Sequence, residues 1–323
     1  MKSFWQNIKK PIVALAPMAG YTDSAYRQLV KKICPEIICF TEFTSADGIF
    51  YNSKKTIAQI DFSPKEKPLI AQIFGKNPEH FAKAAKFLEE EMKVSAIDIN
   101  MGCPAKKVFS SDHGSAILKN PSLAYEIVQA TNEATKLAVS VKTRIGIDKI
   151  DPDFIIKFCQ NLEKAGAKLI TLHGRTAKQM YTGLADWNII YEIKKHLTIP
   201  VIGNGDIKSA KDALDKIKNL DGVMIGRATV GNFWLMGEIY TALHNKKYSA
   251  PTTFEEKIPW FIEHCKLNIA TKGEKRGILE MRKHLATYVK GIEGAAALRA
   301  KLVRVENLKE IIELLNVSKP YFS

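Results

Sequence analysis

The 323-residue sequence predicts an α/β protein, a (β/α)8 TIM barrel followed by a small C-terminal helical bundle domain. Short apolar segments of strand length alternate with helical patterns over about 240 residues, which is the order of elements in such a barrel. From about Thr252 onward, only helical patterns follow. A doubly wound open sheet is the weaker alternative, because no GxGxxG motif follows the first predicted strand.

Eight predicted strands account for the barrel. Each is a short run of apolar and β-branched residues that is too brief for a helix. The predicted strands are Ile12–Ala16, Ile37–Thr41, Leu69–Phe74, Ala96–Asn100, Ala138–Thr143, Leu169–His173, Ile199–Gly203 and Gly222–Ile225.

Three of the helices between these strands have clear starting signals. Asn77, Asn120 and Asp151 each precede a proline, an order typical of an N-cap residue with proline at the first helical position. After Asn77 the apolar residues recur at helical spacing, which predicts one buried face. Gly166 is expected to end the helix that follows the fifth strand.

The chain divides into two predicted domains, residues 1–247 for the barrel and residues 252–323 for the helices. Tyr248–Pro251 is expected to join them. The apolar periodicity of the second domain predicts about four helices. Pro259 lies within the first of these patterns, where it either kinks the helix or marks its true start.

The chain is strongly basic, with 48 Lys and Arg residues against 34 Asp and Glu residues and a formal net charge of +14. The segment from residue 251 has 13 basic and 9 acidic residues, so most of the excess belongs to the barrel. An excess of this size favours a polyanionic partner such as nucleic acid, although many basic proteins bind none. A polyanion could therefore contact both predicted domains.

The five cysteines are odd in number and form no CxxC pair, which disfavours a disulfide framework or a zinc site. No apolar run approaches the roughly 18 residues of a membrane span. The first residues also lack the apolar core of a secretory signal. We therefore expect a cytoplasmic protein with reduced thiols and without a metal ion, and we expect it to act as a monomer.

Polar residues and glycines follow the predicted strands at the end where (β/α)8 enzymes have their active sites. Because the carboxyl ends of all eight strands meet at one rim, these residues predict a ligand site there. The segments and residues concerned are Pro17–Gly20, Glu42, Gln72, Asn100, Cys103, Lys142, Arg144, His173–Arg175, Asn204–Asp206 and Gly226–Arg227.

The loops after the seventh and eighth strands predict a phosphate site, because these loops commonly bind phosphate in this fold. Asn204–Asp206 and Gly226–Arg227 supply glycines that allow close backbone approach, and Arg227 adds positive charge. The alternative is that these glycines only form tight turns.

Lys142 lies inside an apolar run and should point into the barrel mouth, where burial is costly unless the ammonium meets an anion. The reduced ring of a flavin is one consistent anion, and a carboxylate such as Glu42 is the alternative. The seven histidines show no HxH or HExxH spacing, so His173 is expected to hydrogen-bond a ligand rather than a metal. Arg175 either binds a phosphate or base edge or forms a salt bridge at the rim.

Cys103 follows the fourth strand, in a turn that Gly102 and Pro104 favour. A free cysteine is often an inert buried residue. A thiol with an ordinary pKa near 8.5 is mostly protonated at neutral pH, however, and at this rim it could act as a general acid. The sequence leaves both interpretations open.

Six motifs in order along the chain resemble those of the tRNA-dihydrouridine synthases. The second of them is most similar to the bacterial B-type branch. They are Ala16–Asp23, Ile99–Val108, Gly114–Ala116, His173–Thr176, Gly203–Asp206 and Met224–Ala228.

The resemblance implies an FMN enzyme that reduces the C5–C6 bond of uridines in tRNA with NADPH or NADH, and a tRNA-binding role for the helical domain. It implies that Cys103 donates the proton to C5. It also implies that Asn100, Arg175, Lys106, Lys107 and Arg144 contact the substrate. The implied FMN-binding residues are Pro17, Met18, Ala19, Gln72, Lys142, His173, Asn204, Gly205, Asp206, Gly226 and Arg227.

Two segments, Ser111–His113 and Thr143–Gly146, depart from the B-type pattern and leave the modified tRNA position open. Two alternative functions are a flavin barrel that reduces a free pyrimidine, as dihydroorotate dehydrogenases do, and a non-catalytic tRNA-binding protein. The basic helical segment disfavours the first alternative. The presence of Cys103, Lys142 and both phosphate loops disfavours the second.

Overall fold

The computed structural model describes residues 4–317 and confirms the (β/α)8 barrel. Neighbouring strands are parallel throughout, and the pairing of β2 with β4 closes the barrel. The strands are β1 Ile12–Leu15, β2 Ile38–Phe40, β3 Thr44–Ser45, β4 Leu69–Phe74, β5 Ala96–Met101, β6 Val139–Arg144, β7 Leu169–His173, β8 Val201–Asn204 and β9 Gly222–Ile225.

All eight predicted strands are present, and β3 is an additional two-residue strand beside the carboxyl end of β4. The predicted start of the seventh strand at Ile199 was two residues early, because Pro200 has no N–H for the ladder and β8 begins after it. At its other end β8 extends to Asn204, which pairs with His173 of β7. This pairing aligns two predicted site residues.

The α-helices lie between the strands and after the barrel. Three short 3₁₀ helices, Pro64–Glu66, Gly114–Lys119 and Arg227–Thr229, lie in the connections. The α-helices are α1 Phe4–Asn7, α2 Ser24–Ile33, α3 Ala46–Phe50, α4 Lys54–Ile57, α5 Pro78–Glu90, α6 Lys106–Phe109, α7 Pro121–Glu133, α8 Pro152–Lys164, α9 Trp187–Lys195, α10 Ala210–Ile217, α11 Leu235–Leu243, α12 Phe254–Lys272, α13 Glu274–Tyr288, α14 Ala295–Leu302 and α15 Leu308–Val317.

The predicted helix starts are confirmed. The side chains of Asn77, Asn120 and Asp151 each accept a backbone N–H of the first turn, and proline follows each of them. At Pro259 the interpretation as a helix start is wrong. Helix α12 begins at Phe254, where Thr253 and Glu256 form a capping box that satisfies the first amides, and it continues through the proline.

The barrel interior is apolar at its amino-terminal end. Trp5 of α1 is fully buried there and stacks on Phe40 at a ring distance of 6.4 Å. Along β7 the interior-facing residues alternate from Leu169 to Thr171 to His173, so the interior becomes polar toward the carboxyl end. Because apolar side chains fill the other end, the carboxyl rim is the end that offers polar groups to a ligand.

The C-terminal helices pack against the barrel through α12, which contacts α2 and α13. Lys272 of α12 forms an ion pair with Asp23 at the start of α2 and a second one with Glu280 of α13 at 2.6 Å. Near the same surface, Lys283 of α13 lies 3.4 Å from the position that a Cβ on Gly20 would occupy. The loop after β1 is thus held between the barrel and these helices.

Among the helices of residues 4–317, none is both long and apolar enough to span a membrane.

Candidate active site

Polar side chains from β4 to β8 come together at the carboxyl end of the barrel. The strand register pairs Gln72 with Asp98, Asn100 with Lys142, and His173 with Asn204. The structure therefore brings together the amides, the lysine and the histidine that the sequence predicts at this rim.

A chain of hydrogen bonds runs outward from the centre of the barrel. Gln72 donates from Nε2 to Asp98 Oδ2 at 2.7 Å, and Asn100 donates from Nδ2 to Gln72 Oε1 at 2.9 Å. Ser140 donates to the other carboxylate oxygen of Asp98 at 2.6 Å. Gln72 thus forms hydrogen bonds through both polar atoms of its side chain. Asn100 does so as well, because its Oδ1 accepts from the Cys103 loop.

The Cys103 loop, residues 102–104, is held by its backbone. Asn100 Oδ1 accepts the N–H groups of both Gly102 and Cys103 at 3.0 Å. Arg144 Nε donates to the Gly102 carbonyl at 2.8 Å, and Ser115 donates to the Cys103 carbonyl from its N–H at 3.1 Å and its hydroxyl at 2.9 Å. All four polar backbone groups of Gly102 and Cys103 are bonded, so the loop is fixed without using the thiol as a donor.

The Cys103 thiol is the partly exposed one among five free cysteines, and the other four are buried. Burial raises the pKa of Cys103, against the lowering effect of the Ala105 amide and the Arg144 and Lys142 charges. The thiol is therefore protonated at neutral pH. A fixed, protonated and reachable thiol suits a proton donor better than a nucleophile.

Lys142 is the cation at the base of the mouth. Its Nζ donates to Asn204 Oδ1 at 3.1 Å, and Asn204 in turn donates to the Met224 carbonyl at 2.8 Å. Glu42, the alternative partner, instead accepts the Gly20 N–H. Burial and the nearby Arg144 charge lower the pKa of Lys142 to about 8. One neutral amide oxygen leaves two ammonium hydrogens of Lys142 available for an acceptor in the mouth.

His173 is a buried neutral imidazole. Burial, reinforced by the charges of Lys142, Arg144 and Arg175, lowers its pKa far below the ordinary value. Its Nε2 lies 3.4 Å from Arg175 Nη1. Within residues 4–317, no cluster of three His, Cys, Asp or Glu side chains could hold a metal ion.

The two rim arginines hold the loop between β7 and α9. Arg144 Nη1 donates to the carbonyls of Thr176 and Met180 at 2.7 and 2.9 Å. Arg175 forms an ion pair with Asp206 at 2.7 Å and donates to the Gly183 carbonyl at 2.7 Å. Of the alternatives for Arg175, the salt bridge is the contact that the structure shows.

Asp206 links this loop to the predicted phosphate loops. Burial alone would raise its pKa, but the hydrogen bonds from Arg175 and the Ala185 amide and the Arg227 charge lower it. Arg227 lies 3.5 Å from the same carboxylate, with a side chain that is 55% exposed. Tyr181, itself half exposed, has its ring 4.7 Å below the Arg227 guanidinium.

The backbone after β8 and β9 passes close to neighbouring loops beside these charges. Gly205 has φ +132°, and a Cβ there would lie only 2.6 Å from Ala185 Cβ. The 3₁₀ helix Arg227–Thr229 starts at Gly226 without a side-chain cap, so its first amides have no helical acceptor. A Cβ on Gly226 would contact Met18 Sδ at 3.5 Å, which places the loop after β1 against the loop after β9.

The remaining predicted residues lie around this opening. Pro17, Met18 and Ala19 form the loop after β1, where Met18 N donates to Thr22 Oγ1 at 2.8 Å. Lys106 and Lys107 are exposed on α6, directly after the Cys103 loop and outside the mouth.

The family model described as "Dihydrouridine synthase (Dus)" matches residues 14–321 of this chain. The chain belongs to the dihydrouridine synthase family. The resemblance inferred from the six motifs is thereby confirmed.

Curated relatives of this dihydrouridine synthase cover most of its length. The probable tRNA-dihydrouridine synthase 1 of Synechocystis is 39% identical over 94% of this chain and 85% of that protein. The probable tRNA-dihydrouridine synthase of Aquifex aeolicus is 34% identical over 97% of this chain and 98% of its own. The tRNA-dihydrouridine synthase B of Xanthomonas campestris is 35% identical over 92% and 89%.

Sequence reasoning assigned no role to three residues at this dihydrouridine synthase site. Asp98 was detectable, because a charged residue two positions before Asn100 in a buried strand must face the same way. Ser115 stood within a recognised motif, but only the fold shows its contact with Cys103. Tyr181 carried no local signal.

Proposed function

We propose that this chain is an FMN-dependent tRNA-dihydrouridine synthase, which reduces the C5–C6 bond of specific uridines in tRNA to 5,6-dihydrouridine with NADPH or NADH. The observation that carries the proposal is the protonated Cys103 thiol, fixed by its loop at a barrel mouth that also holds Lys142 and His173. Membership of the family supports it.

The residues at the mouth fit FMN. Lys142 offers two ammonium hydrogens, and Thr171 Oγ1 is buried in the barrel interior without a partner among the described residues. The uncapped turn after Gly226 and the exposed Arg227 fit a phosphate. We propose that Gln72, His173, Asn204, Gly205 and Asp206 complete the cofactor site, with Pro17, Met18 and Ala19 along its edge.

FMN, when bound and reduced, supplies the hydride that C6 of the uracil accepts. Cys103 supplies the matching proton from Sγ to C5, so that hydride and proton together add two electrons and two hydrogens across the bond. The charges of Arg144 and Lys142, which lower the pKa of Cys103, also stabilise the thiolate that remains. A proton from solvent restores the thiol, because Cys103 is partly exposed.

The uridine reaches this mouth only if it leaves its place in the folded tRNA, at a cost of a few kcal/mol. Phosphate contacts offset that cost, and we propose that the exposed Lys106 and Lys107 supply some of them. Asn100 and Arg175 are predicted to contact the uracil. Their existing hydrogen bonds, to Gln72 and Asp206, would hold both side chains in fixed positions beside the base. The helices of residues 252–323 are proposed as the tRNA-binding domain beside a barrel domain of residues 1–247.

Cys103→Ala tests the proposal. We expect the variant to keep its flavin spectrum, since the alanine leaves every backbone bond of the loop intact, and to lose dihydrouridine formation measured by mass spectrometry of tRNA. Cys34→Ala, at the end of α2, is the matched control and should retain the activity.

Full tRNA reduction by Cys103→Ala would reject the proton-donor role. Purified protein without a flavin absorbance would reject the cofactor and favour a non-catalytic tRNA-binding protein. Reduction of free orotate or uracil as fast as tRNA would favour the free-pyrimidine alternative. We further propose that the enzyme acts in the cytoplasm as a monomer, which light scattering of the purified protein can check.

A further inference from the structure

Asp98 is a fully buried carboxylate that the proposed mechanism does not use. It lies in β5 and accepts hydrogen bonds from Ser140 and Gln72. Burial raises the pKa of Asp98 to about 6, so it is mostly ionised at neutral pH. A buried charge is costly even when it is hydrogen-bonded, and its neighbours indicate what it does.

We propose that Asp98 is a positioning residue for Cys103, because it sets the direction of the hydrogen bonds that run through Gln72 and Asn100 to the Cys103 loop. Its effect on proton donation rests on the proposed function. Its effect on the loop does not.

The direction of these hydrogen bonds is set first by the Asp98 carboxylate. An ionised carboxylate only accepts hydrogen bonds, so Gln72 must turn its Nε2 toward Asp98. Gln72 Oε1 is then left to face Asn100, which must donate from Nδ2. Asn100 Oδ1 is consequently the atom that remains for the loop.

The far end of the chain requires the same direction. The amides of Gly102 and Cys103 can only donate, and both point at Asn100 Oδ1. If either side-chain amide were reversed, donor would face donor or acceptor would face acceptor. An acceptor at the inner end and donors at the outer end therefore allow one arrangement, and Asp98 is what enforces it from inside the barrel.

Asp98→Leu removes the acceptor and keeps the branching of the side chain at Cγ. Gln72 Nε2 then loses its inner acceptor, which weakens the order of the two side-chain amides and the support that Asn100 gives to the Cys103 loop. We expect iodoacetamide to alkylate Cys103 of the flavin-bound protein about tenfold faster, because the loop opens more often. Mass spectrometry localises the label, and the four buried cysteines should stay unlabelled. We also expect a kcat for uridine reduction about 100-fold lower, with a small change in KM.

Asp98→Asn is the conservative variant. Its oxygen can still accept from Gln72, while its NH2 group faces the Ser140 hydroxyl, which can also accept. This variant should stay within about threefold of the wild type in both measurements. Ile70→Val is a control for any change in the barrel interior, since Ile70 is equally buried inside the barrel but has no polar side-chain atom.

Unchanged alkylation of Asp98→Leu would overturn the proposal, as would equal effects of Asp98→Leu and Ile70→Val. Equal effects of the Leu and Asn variants would also reject it, because only the former removes the acceptor. If Asp98→Leu fails to fold, Asp98→Asn is combined with Ser140→Ala, which removes the hydroxyl group that would accept from the new NH2 group. In that double variant, the alkylation rate should increase by more than the product of the increases in the two single variants. An increase equal to that product would contradict the proposal. If the wild type reduces no uridine, the proposed function fails and the alkylation rates still decide the role of Asp98.

Discussion

The substitution Gly114→Ala tests how firmly the Cys103 loop is held from outside the barrel. Gly114 has φ +60°, which costs another residue about 1 kcal/mol. A Cβ at this position would lie 2.8 Å from the Cys103 carbonyl oxygen and 3.1 Å from Cys103 Cβ. Because the nearest atom belongs to the backbone, no rotamer change relieves the contact and the loop itself must move.

The size of the effect follows from these distances. Ordinary van der Waals contact begins at 3.4 Å, so the carbonyl must retreat by about 0.6 Å. The Ser115 hydrogen bonds to that carbonyl, now 2.9 and 3.1 Å, would then be at or beyond the limit of a hydrogen bond. Losing most of two bonds at about 1 kcal/mol each, together with the backbone term, predicts a loss of about 2–3 kcal/mol in unfolding free energy.

The functional effect should be larger than the effect on stability. A proton donor displaced by a fraction of an ångström costs about 100-fold in rate, which single-turnover reduction of tRNA uridine can measure. Gly294→Ala is the matched control, since it has φ +67° and nothing within 4 Å of the added Cβ. We expect this control to lose about 1 kcal/mol and to keep the wild-type rate. If Gly114→Ala behaved like Gly294→Ala in both assays, the clash and the loop support inferred from it would be wrong.

Three further perturbations test the cofactor site, the contact between barrel and C-terminal helices, and the RNA surface. The pKa of Lys142 is lowered to about 8, so its positive charge is lost as the pH rises above that value. The affinity of flavin-depleted protein for FMN, measured by fluorescence quenching, should therefore fall about tenfold from pH 7 to pH 9. Lys142→Met should abolish that change. Burial would raise the pKa of Asp23, but the Lys272 and His264 charges hold it at about 2. The resulting stabilisation of the fold is present above pH 4 and is lost as the pH falls toward 2. In urea unfolding, Lys272→Met should therefore lower the free energy of unfolding by about 2 kcal/mol at pH 7 and by progressively less below pH 4. Replacing Lys106 and Lys107 by alanine should reduce the slope of log Kd for tRNA against log salt concentration by about 2 without changing FMN content, and an unchanged slope would exclude phosphate contacts there.

The fold and the composition of the rim were predictable because both depend on local patterns. Alternating strands and helices define the barrel, and the barrel fixes which end carries the site. Asn77, Asn120 and Asp151 could be assigned as caps because each signal lies within four residues of the helix that it starts. Such features need no knowledge of distant partners.

The hydrogen-bond partners at the rim were not predictable, because they join residues far apart in sequence. Lys142 bonds Asn204 rather than Glu42, a choice that depends on the register and tilt of three strands. Arg144 and Arg175 reach carbonyls of the loop between β7 and α9, whose path has no repeating pattern. The role of Ser115 likewise depends on how a 3₁₀ helix returns to the Cys103 loop.

The opposing influences on the pKa of Cys103 fit the proton-donor role that we propose for this thiol. Burial raises its pKa and keeps the proton on sulfur before the reaction, while Arg144 and Lys142 favour the thiolate once the proton has left. Both cations are themselves restrained, since Arg144 is bonded to three carbonyls and Lys142 to Asn204. Both charges that favour the thiolate are thus fixed in place, Arg144 by a bond that also holds the Cys103 loop, and the proposed proton transfer needs no rearrangement of the rim. Removing the positive charge of Lys142 should therefore raise the pKa of Cys103 further, and a higher midpoint in the pH dependence of its alkylation would show it.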